Sequence, residues 1–355
     1  MNLLNIITQL SHEFGTPDYV QGGGGNTSAK DAQTLWIKPS GATLAGLAPD
    51  RFVPMDRRRL AALYTARVPD NPARREEIVK NLLAAAVLPG AAGRPSVETP
   101  LHDSFSSALV VHTHPARVNG MTCARGGAAA CARLFPGALW IPYTDPGYTL
   151  CMRVRAVIQA WRDRTGSDPA IVFLQNHGVF IAAETAREVR RLHKLVMTTL
   201  ERAYDGAGIA PALAVGAPPP AGRLAQALQA MREAVGVDQP IHVVASGAFP
   251  VPAGPCSPDH IVYMKSLPLL GEPAPAALRT FIAQHGYWPR VIAAPDAVFA
   301  AGTTPANAAL ALDLARDGAR IVQYAAAFGG AAYLDAAARD FIEHWEVEQY
   351  RRGVA

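Results

Sequence analysis

The spacing of hydrophobic residues predicts alternating helices and strands over residues 1–210. Apolar residues recur as on one face of a helix in residues 2–14, 56–66, 73–88, 101–107 and 185–204. Short uninterrupted apolar runs, typical of buried strands, occupy residues 34–38, 108–111 and 171–174, and the last run continues as 179–181. This alternation predicts an α/β fold.

The composition changes at residues 211–221, where prolines and alanines predict a linker. Beyond the linker, helical patterns occupy residues 222–236, 275–285, 305–317 and 335–350. Strand-like runs occupy residues 241–245, 290–294 and 319–323. We therefore expect a smaller α/β unit over residues 222–355, packed on the first unit. The sequence shows no internal repeat.

Composition and charge exclude several classes of protein. Hydrophobic residues make up 50% of the chain and charged residues only 17%, which indicates a folded rather than a disordered protein. The net charge of +4 comes from short basic bursts on predicted helices, a pattern that fits an anionic small substrate better than nucleic acid. We expect no membrane span, because no apolar run approaches about 18 residues.

The N-terminus and the cysteines predict the compartment. Residues 1–15 lack the basic start and long apolar run of a signal peptide. The four cysteines form no Cys-x-x-Cys pair, as in proteins of a reducing compartment. We therefore expect a cytoplasmic protein.

Two histidines at the end of one predicted strand are the sharpest chemical signal. His112 and His114 follow the apolar run 108–111, and side chains two residues apart on a strand point to the same face. Such a pair can share a metal ion at about 2.0–2.1 Å, but a chance pair is an equally good interpretation of an isolated His-x-His. His177 ends a second apolar run and favours a metal site with three imidazoles.

Two further segments carry weaker signals. Glu98 lies between two prolines and can act as a metal ligand or general base. On local pattern alone, a helix N-terminal carboxylate with Ser96 as cap is the stronger interpretation. The run from Gly22 to Ser28 can line an anion with backbone amides, or it can be a flexible loop. It is not a dinucleotide fingerprint, because the spacing fails at Thr27.

Taken together and in order, five motifs resemble the class II aldolase/adducin superfamily over residues 1–210. They are Gly25-Asn26-Thr27-Ser28, Ser40-Gly41, Pro95-Ser96-Val97-Glu98, His112-Thr113-His114-Pro115 and Asn176-His177-Gly178. The sequence is most similar to the aldolase half of bifunctional rhamnulose-1-phosphate aldolase/alcohol dehydrogenases. That similarity continues through residues 140–147 and 257–262. The 355 residues contain no counterpart of the dehydrogenase half.

The resemblance implies a three-layer α/β/α sandwich with a mainly antiparallel central sheet, plus a smaller α/β C-terminal extension. It implies a zinc-dependent aldolase that cleaves a ketose or ketose phosphate through an enediolate at the metal. The implied zinc ligands are His112, His114 and His177, and Glu98 is the acid that completes the metal site and takes the substrate proton. The implied substrate- or phosphate-binding residues are Gly25, Asn26, Thr27, Ser28, Ser40, Gly41 and Ser96. Tyr143 or Tyr148 is the implied catalytic acid, Tyr143 being our first choice, and a homo-oligomer, by resemblance a tetramer, is expected.

Other activities within the superfamily remain open. Pentulose-phosphate 4-epimerases typically have aspartate in the place of Glu98, which favours aldol cleavage over epimerisation here. Adducin-like binding proteins lack the histidines that this chain keeps. Val97 replaces a serine that sugar-phosphate aldolases often have, so the sequence does not decide whether the sugar is phosphorylated.

The C-terminal unit offers polar residues without a motif of their own, namely Asp259, His260, Lys265 and His285. Surface or helix-cap polarity is the stronger interpretation of each. We expect this unit to cover the mouth of the active site or to mediate assembly.

Overall fold

The computed structural model describes residues 2–236 and 240–345. Its strands are β1 (Asn26–Lys30), β2 (Thr34–Ile37), β3 (Val53–Asp56), β4 (Leu109–Thr113), β5 (Leu139–Ile141), β6 (Ile171–Leu174), β7 (Gly178–Ala183), β8 (His242–Gly247), β9 (Leu269–Leu270), β10 (Val291–Ala293) and β11 (Ala297–Gly302).

The α-helices are α1 (Leu3–Glu13), α2 (Arg57–Leu60), α3 (Pro72–Ala86), α4 (Thr99–Ser104), α5 (Ala116–Thr122), α6 (Gly127–Leu134), α7 (Tyr148–Thr165), α8 (Ala186–Gly206), α9 (Ala221–Val235), α10 (Pro258–Met264), α11 (Pro275–His285), α12 (Pro305–Ala325) and α13 (Ala336–His344). Short 3-10 helices lie at Pro49–Arg51, Ala61–Thr65 and Ala326–Phe328. No helix among the described residues is long and apolar enough to cross a membrane.

A seven-stranded sheet forms the middle layer of the N-terminal part, in the order β3-β2-β1-β4-β7-β6-β5. All its neighbouring strands are antiparallel except β5 and β6. Because side chains alternate along a strand, Val111 packs into the core shared with α1, α5 and α8, whereas Val110 packs against α4 and α7. The three-layer α/β/α sandwich predicted from the sequence is confirmed.

A second sheet, in the order β8-β11-β10-β9, forms the core of the C-terminal part. It repeats the order and the strand directions of β4-β7-β6-β5. In both sheets a hairpin leads into a helix of 21 residues whose first turn is capped by a threonine, Thr185 before α8 and Thr304 before α12. The structure therefore contains an internal repeat that the sequence analysis did not detect.

Several predicted elements need correction. Residues 319–323, predicted as a strand, lie inside α12, where Ala315 and Ala319 pack against the second sheet. Residues 171–174 and 179–181 form two antiparallel strands rather than one continuous strand. The Gly-rich segment, predicted as a loop, ends in β1, an interior strand of the sheet.

The predicted linker and the predicted last helix can be compared with the structure only in part. The linker residues 211–220 contain no helix or strand, and the division into two domains there stays a prediction. Helix α13 ends at His344, and the remainder of the helix predicted over 335–350 lies, beyond residue 345, outside the described residues.

Candidate metal centre

Three histidines converge at one edge of the seven-stranded sheet. His112 is the fourth residue of β4, His114 follows that strand, and His177 lies in the turn between β6 and β7. The Nε2 atom of His112 is 2.9 Å from Nε2 of His114 and 3.3 Å from Nε2 of His177. The ligand atoms of all three lie within 4.8 Å of one another, so this group could hold a metal ion.

The hydrogen bonds of two rings decide which nitrogen faces the centre. Nδ1 of His112 is 3.0 Å from the backbone oxygen of Val179, and Nδ1 of His114 is 2.5 Å from Oδ2 of Asp259. A carbonyl and an ionised carboxylate only accept hydrogen bonds, so both Nδ1 atoms carry the proton. The two Nε2 lone pairs therefore face each other at 2.9 Å, an arrangement that a shared cation stabilises.

Burial keeps the imidazole ring of His114 neutral, which is the form that binds metals. It lowers the pKa of His114 to about 4, although the neighbouring Asp259 carboxylate acts in the opposite direction. The ring is therefore neutral at neutral pH, and neutral imidazole is the form that binds metals. The donor chemistry of the cluster thus fits a divalent cation.

Glu98 supplies an oxygen donor next to the imidazoles. It is the N-cap residue of α4, and its Oε1 lies 3.4 Å from Nε2 of both His112 and His177. Burial alone would raise the pKa of Glu98, but positive charge at this centre holds the pKa well below its usual range. The rings of His112 and His177 carry that charge when they are protonated, and a cation bound by the neutral rings would carry it instead. The carboxylate is therefore ionised at neutral pH and can act as a fourth ligand or as a proton acceptor.

A cavity lined by both polar and apolar residues lies beside the histidines and the glutamate. Of the residues predicted to bind substrate, it is lined by Gly25, Asn26, Ser40, Gly41 and Ser96. Nδ2 of Asn26 donates to Oγ of Ser96 and, at 3.4 Å, to Oε2 of Glu98. His114, His177 and Glu98 line the same cavity, so most of the predicted metal-binding and substrate-binding residues meet in one place.

The structure does not bring every predicted residue into this cavity. The hydroxyl of Thr27 contacts that of Ser11 at 2.7 Å, on the opposite face of β1 from Asn26. The hydroxyl of Ser28 is 2.8 Å from Nδ1 of His102, a residue of α4. Both side chains are buried among other residues, and their predicted contact with substrate stays a prediction.

Neither tyrosine proposed as the catalytic acid lines the cavity. The hydroxyl of Tyr143 donates to Asp145 at 3.1 Å, and burial together with that carboxylate raises its pKa. Tyr148 packs beside the core of α3 and β2, and burial raises its pKa as well. The structure therefore does not choose between them.

Lys38 is a cavity residue that the sequence analysis treated only as the end of a strand. It is 2% exposed, and its Nζ donates to the backbone oxygens of Ala42 at 2.6 Å and Gly23 at 3.3 Å. A buried lysine is rare unless it is paired, and this one adds an amino group, a cation when protonated, to the cavity wall. Its position directly before Pro39-Ser40-Gly41 was the available signal.

The C-terminal part supplies one wall of the same cavity through Pro258, Asp259 and Trp345. Asp259 had been interpreted as surface or helix-cap polarity, yet it is 4% exposed. His260 is likewise buried, whereas Lys265 pairs with Glu343 at 3.7 Å. His285 ends α11, remote from the cavity wall. The contact of Asp259 with His114 joins residues 145 positions apart, so no local sequence pattern could predict it.

Comparison with known proteins places these observations in a family. Residues 5–204, more than half of the chain, match the family model "Class II Aldolase and Adducin N-terminal domain". The uncharacterized oxidoreductase YuxG of Bacillus subtilis (strain 168) is 27% identical over 175 residues, covering 46% of this chain and 24% of that protein. The chain thus spans about a quarter of the length of this curated relative.

The solved structures that are similar to this chain include an aldolase domain and an aldolase. The N-terminal class II aldolase domain of a conserved protein from Thermoplasma acidophilum has 25% identity and a TM-score of 0.48, with 56% of this chain and 92% of that chain covered. The L-fuculose-1-phosphate aldolase of Thermus thermophilus has 18% identity and a TM-score of 0.37, with 59% and 98% covered. On the family-model match, with the motifs placed as described, the chain belongs to the class II aldolase and adducin family.

Proposed function

We propose that this protein is a zinc-dependent aldolase that cleaves a ketose or ketose phosphate. The observation that carries the proposal is the convergence of three Nε2 atoms and Oε1 of Glu98, with each of the distances from His112 at or below 3.4 Å. Three imidazoles and a carboxylate are suitable zinc ligands. Because they lie beside an open cavity, they fit a catalytic zinc site, which keeps a position open, better than a closed structural site. Family membership supports aldolase-type chemistry.

A divalent cation held there supplies a Lewis acid that stabilises negative charge on substrate oxygens as the carbon–carbon bond breaks. His112 and His114 present unprotonated Nε2 atoms because their Nδ1 protons are held by Val179 and Asp259. Glu98 is ionised and faces the cavity, so it accepts a proton from the substrate or returns one to the new carbanion. Asn26 orients that carboxylate through Oε2.

The cavity lining also contains groups that suit an anion. Lys38 contributes a buried amino group, a cation when protonated, and Ser40, Gly41 and Ser96 contribute hydroxyls and backbone to the same lining. Charge-assisted hydrogen bonds from such groups are the usual means of holding a phosphate. Val97 offers no hydroxyl, so we assign the phosphate to this lining on the strength of Lys38 rather than of a second serine.

A retro-aldol screen tests the function. Zinc-loaded protein would be incubated with phosphorylated and free ketoses, and release of dihydroxyacetone phosphate or another cleavage aldehyde or ketone would be measured. We expect cleavage by the wild type and a loss of at least about 100-fold in Glu98→Gln, since positioned general base catalysis contributes about 10²–10⁴-fold. An epimerised sugar as the sole product would favour the 4-epimerase alternative, and no turnover of any ketose would favour an adducin-like binding role.

A homo-oligomer and a cytoplasmic location also remain proposals. Sedimentation of the purified protein tests the first of these, and a monomer at working concentration would contradict it.

A further inference from the structure

Helix α10 of the C-terminal part meets the metal centre directly. Asp259 is the second residue of this helix and lines the cavity. Only 4% of the residue is exposed to solvent. Its Oδ2 is 2.5 Å from Nδ1 of His114. A Cβ at Gly24 would lie 2.5 Å from the same oxygen, so the glycine-rich loop closes tightly over this carboxylate.

The carboxylate acts on the ring nitrogen that is remote from the other imidazoles. An acceptor at Nδ1 keeps the proton there, directs Nε2 toward the cation and makes the imidazole more basic. For His112 a backbone carbonyl, that of Val179, has this role. For His114 the role falls to a side chain that comes from outside the segment of the family match, residues 5–204.

Helix α10 is fixed on its other sides, so that Asp259 is held in place. Oγ of Ser257, the N-cap of α10, lies 2.9 Å from Nδ1 of His260 in the same helix. Nε2 of His260 lies 3.5 Å from Oδ2 of Asp317 in α12 without a hydrogen bond. A Cβ at Gly318 would lie 3.2 Å from Nε2 of His260, which shows how closely the two helices approach. Tyr263 in the next turn accepts a hydrogen bond from the backbone N–H of Gly23 at 3.3 Å.

A second contact from the C-terminal part acts on His177. Asn176, the residue before it, has a left-handed backbone with φ 54, a conformation that is uncommon outside glycine but is enriched in asparagine. Its side-chain amide donates to the backbone oxygens of Cys256 at 2.9 Å and Ala332 at 2.7 Å. The C-terminal part therefore fixes the turn that carries the third imidazole.

We infer that Asp259 is a positioning residue of the metal centre, and that the C-terminal part thereby completes a site whose ligands all lie in the N-terminal part. The inference rests on the proposed metal site. It differs from the expectation of a cover or an assembly surface, because Asp259 acts on a ligand ring and does not merely bound the cavity.

Zinc affinity measured by chelator competition tests this role without relying on activity. Loss of an outer hydrogen-bond partner of a metal ligand typically weakens metal binding about 10–100-fold. We expect about 10-fold weaker binding in Asp259→Asn, whose amide oxygen can still accept from Nδ1, and up to about 100-fold in Asp259→Ala. Unchanged zinc affinity in both variants would overturn the inference.

Asp335→Ala is the control for a structural effect, because alanine removes the oxygen that caps the helix. Asp335 caps α13 by accepting from the N–H of Ala338, and α13 packs against α10, but the carboxylate of Asp335 is not in the cavity wall. This variant should lower the melting temperature while leaving the zinc dissociation constant unchanged. A loss of zinc affinity equal to that of Asp259→Ala would show that loosening α10 suffices, and would overturn the specific role of Asp259.

A measurement on the wild type covers the case in which the Asp259 variants fail to fold. In zinc-loaded protein labelled with ¹⁵N at histidine, His114 should show a protonated Nδ1 and a metal-bound Nε2. The opposite assignment of the two nitrogens would contradict the inference. Zinc binding by wild type with no effect of Asp259 removes the inference alone, whereas absence of zinc binding by wild type removes the proposed function as well.

Discussion

The strands β4-β7-β6-β5 and the strands β8-β11-β10-β9 share their order and directions, but among the described residues only the first set carries a cluster of metal-binding side chains. In the first set His112 lies opposite Phe180 across the ladder. In the second set Ala245 lies opposite Phe299. Phe299 and Phe180 are each the third residue of their strand, so Ala245 corresponds to His112. Two residues further on, His114 of the first set corresponds to Gly247 of the second.

The end of strand β8 has no room for an imidazole. A Cβ at Gly247 would lie 2.0 Å from the backbone oxygen of Gly216, because the linker crosses here and its Gly216 N–H donates to Ala248 at 2.8 Å. In the hairpin turn, the place of His177 is taken by Asp296, which pairs with Arg223 at 2.6 Å on the surface. The same arrangement of strands thus carries the candidate metal centre in one copy and a contact with the linker in the other, as expected if function resides in particular side chains and not in the fold.

The largest expected effect is a difference in zinc affinity between substitutions in the two hairpin turns. His177→Ala should weaken zinc binding by more than the ~100-fold typical for loss of an outer partner, because a ligand itself is removed. Asp296→Ala at the corresponding position should leave zinc affinity unchanged, since only an exposed ion pair is lost. Chelator competition measures both variants, and equal zinc affinities for the two would break the comparison.

Two crowded glycines, one at the same end of each sheet, should give an intermediate effect. A Cβ at Gly178 would lie 2.4 Å from the backbone oxygen of Thr113 and 2.7 Å from Cδ2 of His114. Gly178→Ala and Gly247→Ala should each lower the free energy of unfolding by about 1–3 kcal/mol, the usual cost of overpacking. Only Gly178→Ala should also weaken zinc binding, because it moves the ring of His114. Denaturant unfolding and zinc titration of both variants measure this, and weakened zinc binding in Gly247→Ala would count against the account.

The smallest effect concerns strand β1, which lies outside the repeated four-strand unit. Burial lowers the pKa of Lys30 to about 7, well below the usual value of 10.5, and its Nζ donates to the backbone oxygen of His102 at 2.8 Å. Above pH 7 the unfolded state then binds more protons than the folded state, so stability rises with pH. The free energy of unfolding of wild type minus that of Lys30→Met should increase by up to about 1.4 kcal/mol between pH 7 and pH 8. A difference that stays constant with pH would contradict the buried, low-pKa lysine.

Most of the metal centre could be predicted because its residues lie where strands end. His112, His114 and His177 each follow or end an apolar run, and the period of a strand places the first two on one face. The fold class followed from the family motifs and from the same alternation of strands and helices. These signals are local in the sequence, and the structure confirms the convergence that they predicted.

The missed features depend on contacts between distant segments. Asp259 reaches His114 only because α10 packs on α12 and α13, and no pattern around residue 259 reports that contact. The two hairpins share Val179-Phe180 with Val298-Phe299, but this match is short. The repeat was also missed because residues 319–323 were predicted as a strand, whereas Ala319 and Ile321 lie on the buried face of a helix. Strand β1 was missed because its polar sequence, Asn26-Thr27-Ser28, is buried by hydrogen bonds to other side chains.

Anomalous diffraction from a crystal grown with zinc tests the central claim most directly. The account predicts one strong peak at the zinc edge, about 2.0–2.1 Å from Nε2 of each of His112, His114 and His177, and no peak at the corresponding end of β8. The absence of a peak among the three imidazoles, at zinc concentrations that saturate the protein in solution, would contradict it.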